Sequence, residues 1–488
     1  MFLSKVHNMK NAFSRYLAQT SSIAPLAVFR MLFGAAMVLS TARFLVLGWV
    51  REQYIAPKVH FPYYGFEWVQ PLQEYGLPEA TMVAVVGIML FAAIGIMLGA
   101  WYRLSSVAFF LTFTYVELLD KTYYLNHYYF VSVMSFVLAL LPAHRTFSLD
   151  IRRKPALQLD SVPLWMIDVV KFQVGIVYVF AGIAKINSDW LFRAMPLAIW
   201  LPANDTMPII GWLFRYNETA YLFSWVGMLF DCTIPFWLSW KRSRLLAYTT
   251  VVVFHTLTGW MFQIGVFPLV MCLATPIYFS EEWHKRLLAR LRTIFSKVAQ
   301  TLRASLSLSA STAVVQHLTT QTRMSVLPKA KESATVGKHW NAVRTILAVH
   351  CILQLLIPCR LWFYDGNSFW TEQGYRFAWR VMLMEKAGDA TFYVRNGATG
   401  REGAVVNREF LNAHQEKQMA MQPDMILHFA KVLQQYYAAQ GMTNPRVRAE
   451  VYVTLNGRPS RLYIDSSIDL TRLQDDFSHK HWILPFRE

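Results

Sequence analysis

Charge is what this chain has least of. Asp, Glu, Lys and Arg supply only 16% of its 488 residues, where a soluble domain carries about 25%. Hydrophobic residues make up 55% and the mean hydropathy is +0.28. A water-soluble globule is excluded, and a polytopic membrane protein is expected. Cysteine is scarce too. The four, Cys232, Cys272, Cys351 and Cys359, lie in or beside apolar runs, and none follows position 359. That excludes a disulfide framework and shows no zinc spacing, so buried small apolar side chains are the expected role. Acidic residues number 30 against 47 basic ones, a net charge of +17. The excess sits in loops between apolar runs, the positive-inside pattern, so no nucleic-acid partner is expected. The sequence shows no internal repeat, Gly-rich phosphate loop or nucleophile elbow.

What is present is a series of apolar runs, at about 25–49, 79–100, 104–119, 124–142, 163–186, 218–240, 245–262, 264–280 and 341–363, each long enough to span or nearly span a bilayer. The basic N-terminus followed by apolar residues imitates a signal peptide. The run continues to Val50, too long for a signal core, so a retained first span is expected. Basic residues cluster at His144–Lys154, Lys241–Arg244 and throughout 285–338. With nine spans they all fall on the side of the N-terminus, the cytoplasm, and the C-terminus lies outside with the loops 51–78, 119–124 and 186–217. Residues 281–300 read as a basic amphipathic helix on the inner leaflet, and 304–325 as a flexible Ser/Thr-rich linker.

Beyond about 365 the pattern changes. Thr391–Arg395, Asn396-Gly397 and Gly403–Val406 read as a hairpin, 422–440 as an amphipathic helix, and Arg446–Leu455, Asn456-Gly457 and Ser460–Asp465 as a second hairpin. The expected fold is a polytopic all-α membrane bundle of about nine transmembrane helices with a small C-terminal α+β extramembrane domain. The division runs 1–280 (eight spans), 281–340 (basic helix and linker), 341–364 (ninth span) and 365–488 (outer domain).

The stretch Tyr178–Trp190 stands out because it puts Lys185 near the end of an apolar run, with no carboxylate within three residues. Desolvation disfavours an ammonium, so such a lysine can be a neutral amine and a base. It can equally snorkel to the interface. His127, after Asn126, begins the fourth run on the same membrane face. A lone interfacial histidine is more often structural, yet here it can relay a proton, and Asn126 can orient a hydroxyl or an oxyanion. His255 inside the seventh run reads as a hydrogen-bonded core histidine, and Arg30 and Asp231 as groups satisfied by buried backbone or by each other. Gly265 and Pro268 read as turn residues. Tyr375 and Trp379 are four apart and would share a face of a helix.

Taken together, these stretches resemble vitamin K-dependent gamma-glutamyl carboxylase and the wider group of horizontally transferred transmembrane domain proteins. The matching pieces are Pro25–Gly34, Asp120–Thr122 with Asn126-His127, Tyr178–Trp190, Phe254-His255 through Ile264–Met271 to Thr275-Pro276, and Trp370–Trp379. The resemblance implies a nine-helix bundle with an outer domain. It implies a reaction in which reduced vitamin K (phylloquinol or menaquinol), O2 and CO2 convert peptidyl glutamate to gamma-carboxyglutamate, and no metal. A lysine amine can deprotonate a hydroquinone, and the oxygenated quinol then yields a base strong enough for the glutamate carbon if water is excluded. On this pattern Lys185 is the base that starts quinol oxygenation and His127 assists carboxylation. Asn126, Tyr178, Phe267 and Met382 bind the quinone, and Tyr375, Trp379 and His255 lie on the substrate side. The implied partners are the lipid bilayer, a glutamate-containing peptide or protein, and a quinone-reducing enzyme. The implied site faces outward, periplasmic in a bacterium or lumenal in the endoplasmic reticulum. The chain departs from the animal enzyme in its shorter C-terminal region, in its long basic linker, and in having no cysteine pair to tie the bundle to the outer domain.

Overall fold

The computed structural model describes residues 11–69, 79–262, 264–310 and 338–487. The expectations for the loop residues 70–78 and for the linker beyond 310 fall outside them.

Each apolar run is helical. In chain order the helices are α1 (Ala24–Val46), α2 (Glu79–Leu98), α3 (Tyr102–Leu119), α4 (Asn126–Leu140), α5 (Leu164–Ala184), α6 (Asn217–Ser239), α7 (Arg244–Phe262) and α8 (Phe267–Ala274), then the amphipathic α9 (Glu281–Ala310) and α10 (Lys338–Cys359). Among the described residues, six helices are long and apolar enough to cross a membrane: α1, α2, α5, α6, α7 and the segment Trp340–Phe363. The segments Asn126–Leu140 and Phe267–Tyr278 are apolar but shorter. Side chains such as Phe91, Leu104, Leu222, Phe236, Leu246 and Leu356 are exposed on the helices. In water so much apolar surface would drive association; in a bilayer it faces a like solvent. A short antiparallel pair, β1 (Thr20–Ser22) with β2 (Ser161–Pro163), ties the start of α1 to the start of α5.

Local chemistry sets the helix ends and the close approaches. Pro residues stand in the first turns of α1 and α8, where the missing N–H costs nothing. Arg30 is fully buried and donates to the carbonyls of Ile96, Met97 and Phe147. It thereby satisfies orphan acceptors at the end of α2, and the alternative of a pair with Asp231 is not realised. A Cβ placed on Gly182 would lie 2.6 Å from the backbone nitrogen of Cys232, so α5 and α6 meet backbone to backbone there. Gly182→Val is therefore expected to cost about 1–3 kcal/mol by overpacking and to lower the melting temperature of the purified protein; an unchanged melting temperature would show that the helices are not this close.

The outer domain holds a four-stranded antiparallel sheet of order β4-β3-β5-β6, from β3 (Lys386–Arg395), β4 (Glu402–Ala404), β5 (Arg446–Leu455) and β6 (Arg461–Leu462). Both expected hairpins form. The long β3–β5 pairing between them, Lys386 opposite Leu455 through Arg395 opposite Arg446, makes them one sheet. Alternate residues Ala390, Phe392, Val394 and Val447, Ala449, Val451 and Val453 are buried. They pack with Ile426, Phe429, Ala430 and Leu433 of the helix α11 (Pro423–Ala439). One turn differs from expectation: the left-handed residue after β3 is Gly400, not Asn396-Gly397. An added Cβ at Gly397 would lie 2.6 Å from the Asn444 carbonyl oxygen, so that glycine is there for space. Asn456-Gly457 in the second hairpin has positive φ at both positions, as a two-residue turn of this kind requires.

Candidate active site

α5 ends at Lys185, whose amide donates to Gly182 O, and Asn187 caps the short helix Ser188–Arg193 that follows. A cation at a helix C-terminus complements the exposed carbonyls, so the local fold favours lysine there. Its Nζ is buried and donates to Asp231 Oδ2 at 2.7 Å and to Ala181 O at 3.3 Å. It lies 5.2 Å from the centre of the Trp190 ring. No carboxylate stands within three residues of Lys185, and the expectation that Asp231 is satisfied by buried backbone or by Arg30 is corrected, since it pairs with this lysine. The partner lies 46 residues away on α6, brought in by the Gly182 contact. Pro235 in the same helix offers no N–H to the carbonyl four residues before it, which is that of Asp231.

Lys185 and Asp231 line a small, almost wholly apolar chamber with Tyr178, His255, Phe267 and Met382, walled further by Trp190, Trp200, Phe223, Phe254 and Phe262. Tyr178 OH and His255 Nε2 share a 2.9 Å hydrogen bond, while His255 Nδ1 is buried with no partner among the described residues. His255 lines the chamber of Lys185 and not the cleft of His127, and its bond to Tyr178 makes it the hydrogen-bonded core histidine expected inside the seventh run. The chamber volume is about 90 Å³, less than the roughly 150 Å³ of a cavity that accepts benzene. A bicyclic ring does not fit the chamber as it stands; it enters only if a wall side chain such as Phe267 or Met382 gives way.

On the other side of that wall lies a larger cleft of about 790 Å³, which also touches Ile264, Phe267, Val381 and Met382. Six cations (Arg43, Lys121, Arg376, Arg380, Lys386, Lys417) and two anions (Glu372, Glu385) line it together with Asn126, His127 and Tyr375. Phe267 touches both chambers' histidines: its ring centre is 5.7 Å from that of His127 and 5.6 Å from that of His255. His127 is buried and its Nε2 has no partner among the described residues. Lys185 and His127 thus line two different pockets that share the wall of Ile264, Phe267, Val381 and Met382. Asn126 donates one amide N–H to Arg380 O at 2.7 Å and accepts from Tyr124 OH at 3.0 Å, which leaves capacity for one more donated bond. It stands in the cleft, apart from Tyr178.

The segment 372–382 is irregular where Tyr375 and Trp379 would have shared a helix face. Glu372, Phe377, Trp379 and Met382 all have φ between 53° and 61°, a left-handed conformation costly for side chains with a Cβ and concentrated at functional sites. The turn sends Tyr375 into the cleft. Trp379 points away, fully buried and stacked on Tyr129 with ring centres 4.7 Å apart; it lines neither chamber.

Sequence reasoning missed the network that holds the outer domain over this site. Asp424 binds both Lys121 and Arg376 at 2.7 Å. Burial alone pushes its carboxyl up; the charges of Arg376 and Lys121 outweigh that and hold it well below the carboxylate range. Gln415 reaches Asp120 and Val59 O. Asp189, just after Lys185, takes a two-pronged bond from Arg458 at 2.7 and 2.8 Å and another from Asn456. All four cysteines are free; the joining is done by these polar latches together with an apolar cluster that holds Val59, Phe61, Trp190 and Leu197 with Trp370, Leu383 and the core of the outer domain. Lys386 bonds Glu372, Trp370 O and Tyr463 OH, and burial pushes its ammonium down against the pull of Glu372.

The HTTM domain family model matches residues 18–283, more than half of the chain. The model of the vitamin K-dependent gamma-carboxylase lumenal domain matches residues 339–488. No solved structure matches the chain. The chain belongs to the HTTM domain family and is an integral membrane protein resembling gamma-glutamyl carboxylase.

Proposed function

We propose that this HTTM-family protein is a quinol-dependent carboxylase. It couples oxygenation of reduced vitamin K, phylloquinol or menaquinol, to carboxylation of peptidyl glutamate. Quinol, O2, CO2 and glutamate become quinone epoxide, gamma-carboxyglutamate and water. The observation that carries this reading is the buried Lys185–Asp231 pair in an apolar chamber that shares one wall with a basic, polar cleft. Two poorly compatible kinds of chemistry need that division: a dry place for a reactive quinone, and a charged place for an anionic peptide.

When bound in the apolar chamber, a reduced naphthoquinone supplies, with O2, the strong base that no side chain provides at neutral pH. The chain's own residues prepare for it. Two separated charges are expensive in a dry site. Asp231 Oδ2, 2.7 Å from Lys185 Nζ, is the acceptor to which Lys185 passes a proton as it takes one from a hydroxyl. Tyr178 and His255 present a hydrogen-bonded pair to the same space, with His255 Nδ1 still free to bond. Phe267 and Met382 separate this space from His127, whose open Nε2 is placed for proton movement at the peptide carbon. Asn126 has a second amide N–H with which to hold a quinone oxygen without breaking its bond to Arg380 O. Tyr375 lines the peptide side, and Trp379 acts by fixing the turn.

In the membrane the reading has nine spans, the N-terminus and basic loops in the cytoplasm, and the C-terminal domain outside over the open end of the site. Its partners are the bilayer, a glutamate-containing peptide or protein, and a separate quinone-reducing enzyme that restores the quinol.

The test is purified protein in nanodiscs with reduced vitamin K, O2, labelled CO2 and a short glutamyl peptide. Epoxide and fixed label are expected together, each dependent on the quinol. Epoxide without fixed label points to a quinol epoxidase acting on another acceptor. Neither product from folded protein sinks the enzymatic reading in favour of a quinone-binding scaffold.

A further inference from the structure

The cations deepest in the cleft are answered by carboxylates with one exception. Lys121 and Arg376 meet Asp424, and Lys386 meets Glu372. Arg380 is only 9% exposed and has no carboxylate within ion-pair distance among the described residues. Its NH1 donates to Ser368 Oγ at 2.8 Å, and its Nε is buried with no partner. The guanidinium carbon sits 4.8 Å from the Phe369 ring centre and 5.7 Å from that of Tyr375. Its carbonyl is fastened to Asn126, next to His127. Arg30, also buried and without a carboxylate partner among the described residues, is held by three backbone carbonyls; Arg380 has one serine bond and an unpartnered Nε, and a buried guanidinium so thinly satisfied is costly unless a ligand supplies the missing acceptor. The planar fork, flanked by two rings and anchored by one serine bond, stands where the cleft meets a second pocket of about 490 Å³ that Ser368 and Phe369 line, and its shape matches a carboxylate.

We infer that Arg380 binds the side-chain carboxylate of the glutamyl residue to be modified and so makes the cleft selective for glutamate over glutamine. This rests on the carboxylase reading above. The chemistry gives the contact a second use. When the γ C–H bond breaks, the proton leaves to the quinol-derived base, and the electron pair spreads onto that carboxylate before forming the bond to CO2. The charge therefore grows where the guanidinium stands, and a donor placed there stabilises it.

The experiment compares wild type with R380Q, R380K and, as a control for lost local structure, S368A, which removes only the serine bond. Binding of a fluorescent glutamyl peptide and its glutaminyl counterpart to the nanodisc protein is measured beside epoxide and fixed label. For R380Q the glutamyl affinity and the peptide KM are expected to worsen about 10- to 100-fold, the range for a charge-assisted hydrogen bond. Binding of the glutaminyl peptide stays as it was, and epoxide formation without peptide persists. R380K recovers part of the loss, and S368A keeps the glutamate preference. Equal weakening of both peptides, or no change, overturns the inference. So does a defect confined to the dependence on bicarbonate-derived CO2, because the anion held would then not be the peptide's. Absence of epoxide and label in wild type with selective glutamyl binding intact removes the carboxylase reading alone; absence of selective binding removes this one.

Discussion

Lys185→Ala is expected to lower both epoxide formation and carbon fixation by about 10²–10⁴-fold, the usual contribution of a positioned base, with the two products falling in step. The reason is order: the amine acts on the quinol before any base exists to attack the peptide. The substitution also leaves Asp231 buried without its cation, so folding must be checked by melting temperature and size exclusion. Asp231→Asn separates the two roles. It keeps a hydrogen-bond acceptor for Nζ but cannot hold a proton, so a lysine that works as a base through this pair loses turnover while the protein stays folded. A lysine that merely anchors the helix end would leave epoxide formation whole in both variants.

Asp424→Asn is expected to cost about 3–5 kcal/mol, the range for breaking a buried ion pair, because it strands Lys121, only 2% exposed in its side chain, together with Arg376. The outer domain should lose its seat on the bundle, seen as faster proteolysis of the region after 365 and a lower melting temperature. The same carboxyl gives a pH signature. Its folded pKa lies below the ordinary aspartate value of about 3.9. Its stabilisation is therefore complete above about pH 4 and declines as the pH falls below that toward the folded value. The wild type should lose stability in that acid range more steeply than Asp424→Asn. If the variant melts like the wild type at neutral pH, the network does not hold the domain.

The sequence was most readable where periodicity and turn chemistry carry the information. Every apolar run became a helix, and Asn456-Gly457 closed a hairpin. Lys185, Tyr178, His255, Phe267 and Met382 came together around one chamber, although only Lys185 was conspicuous in the sequence. What stayed hidden depends on contacts between distant segments. Asp231 was visible as a buried acid, but nothing local chose Lys185 over Arg30 as its partner; the glycine contact between α5 and α6 chose it. The pattern Tyr375 to Trp379 suggested a helix face, and five left-handed residues between 372 and 382, Gly374 among them, undid it. Arg380 left one signal: a guanidinium in an aromatic stretch whose nearest acid in sequence, Glu385, turned out to bond Trp200 instead. The latches at Asp189 and Asp424 join residues far apart in the chain, and no spacing rule announces them.

The central claim is that one aromatic wall divides quinol chemistry from peptide chemistry. His127→Ala tests it most directly, with epoxide and fixed label measured in the same reaction. The account predicts that epoxide formation continues while carbon fixation falls steeply, since His127 lies across Phe267 from Lys185. Loss of both products in equal measure from a folded variant, or retention of full carbon fixation, would contradict it.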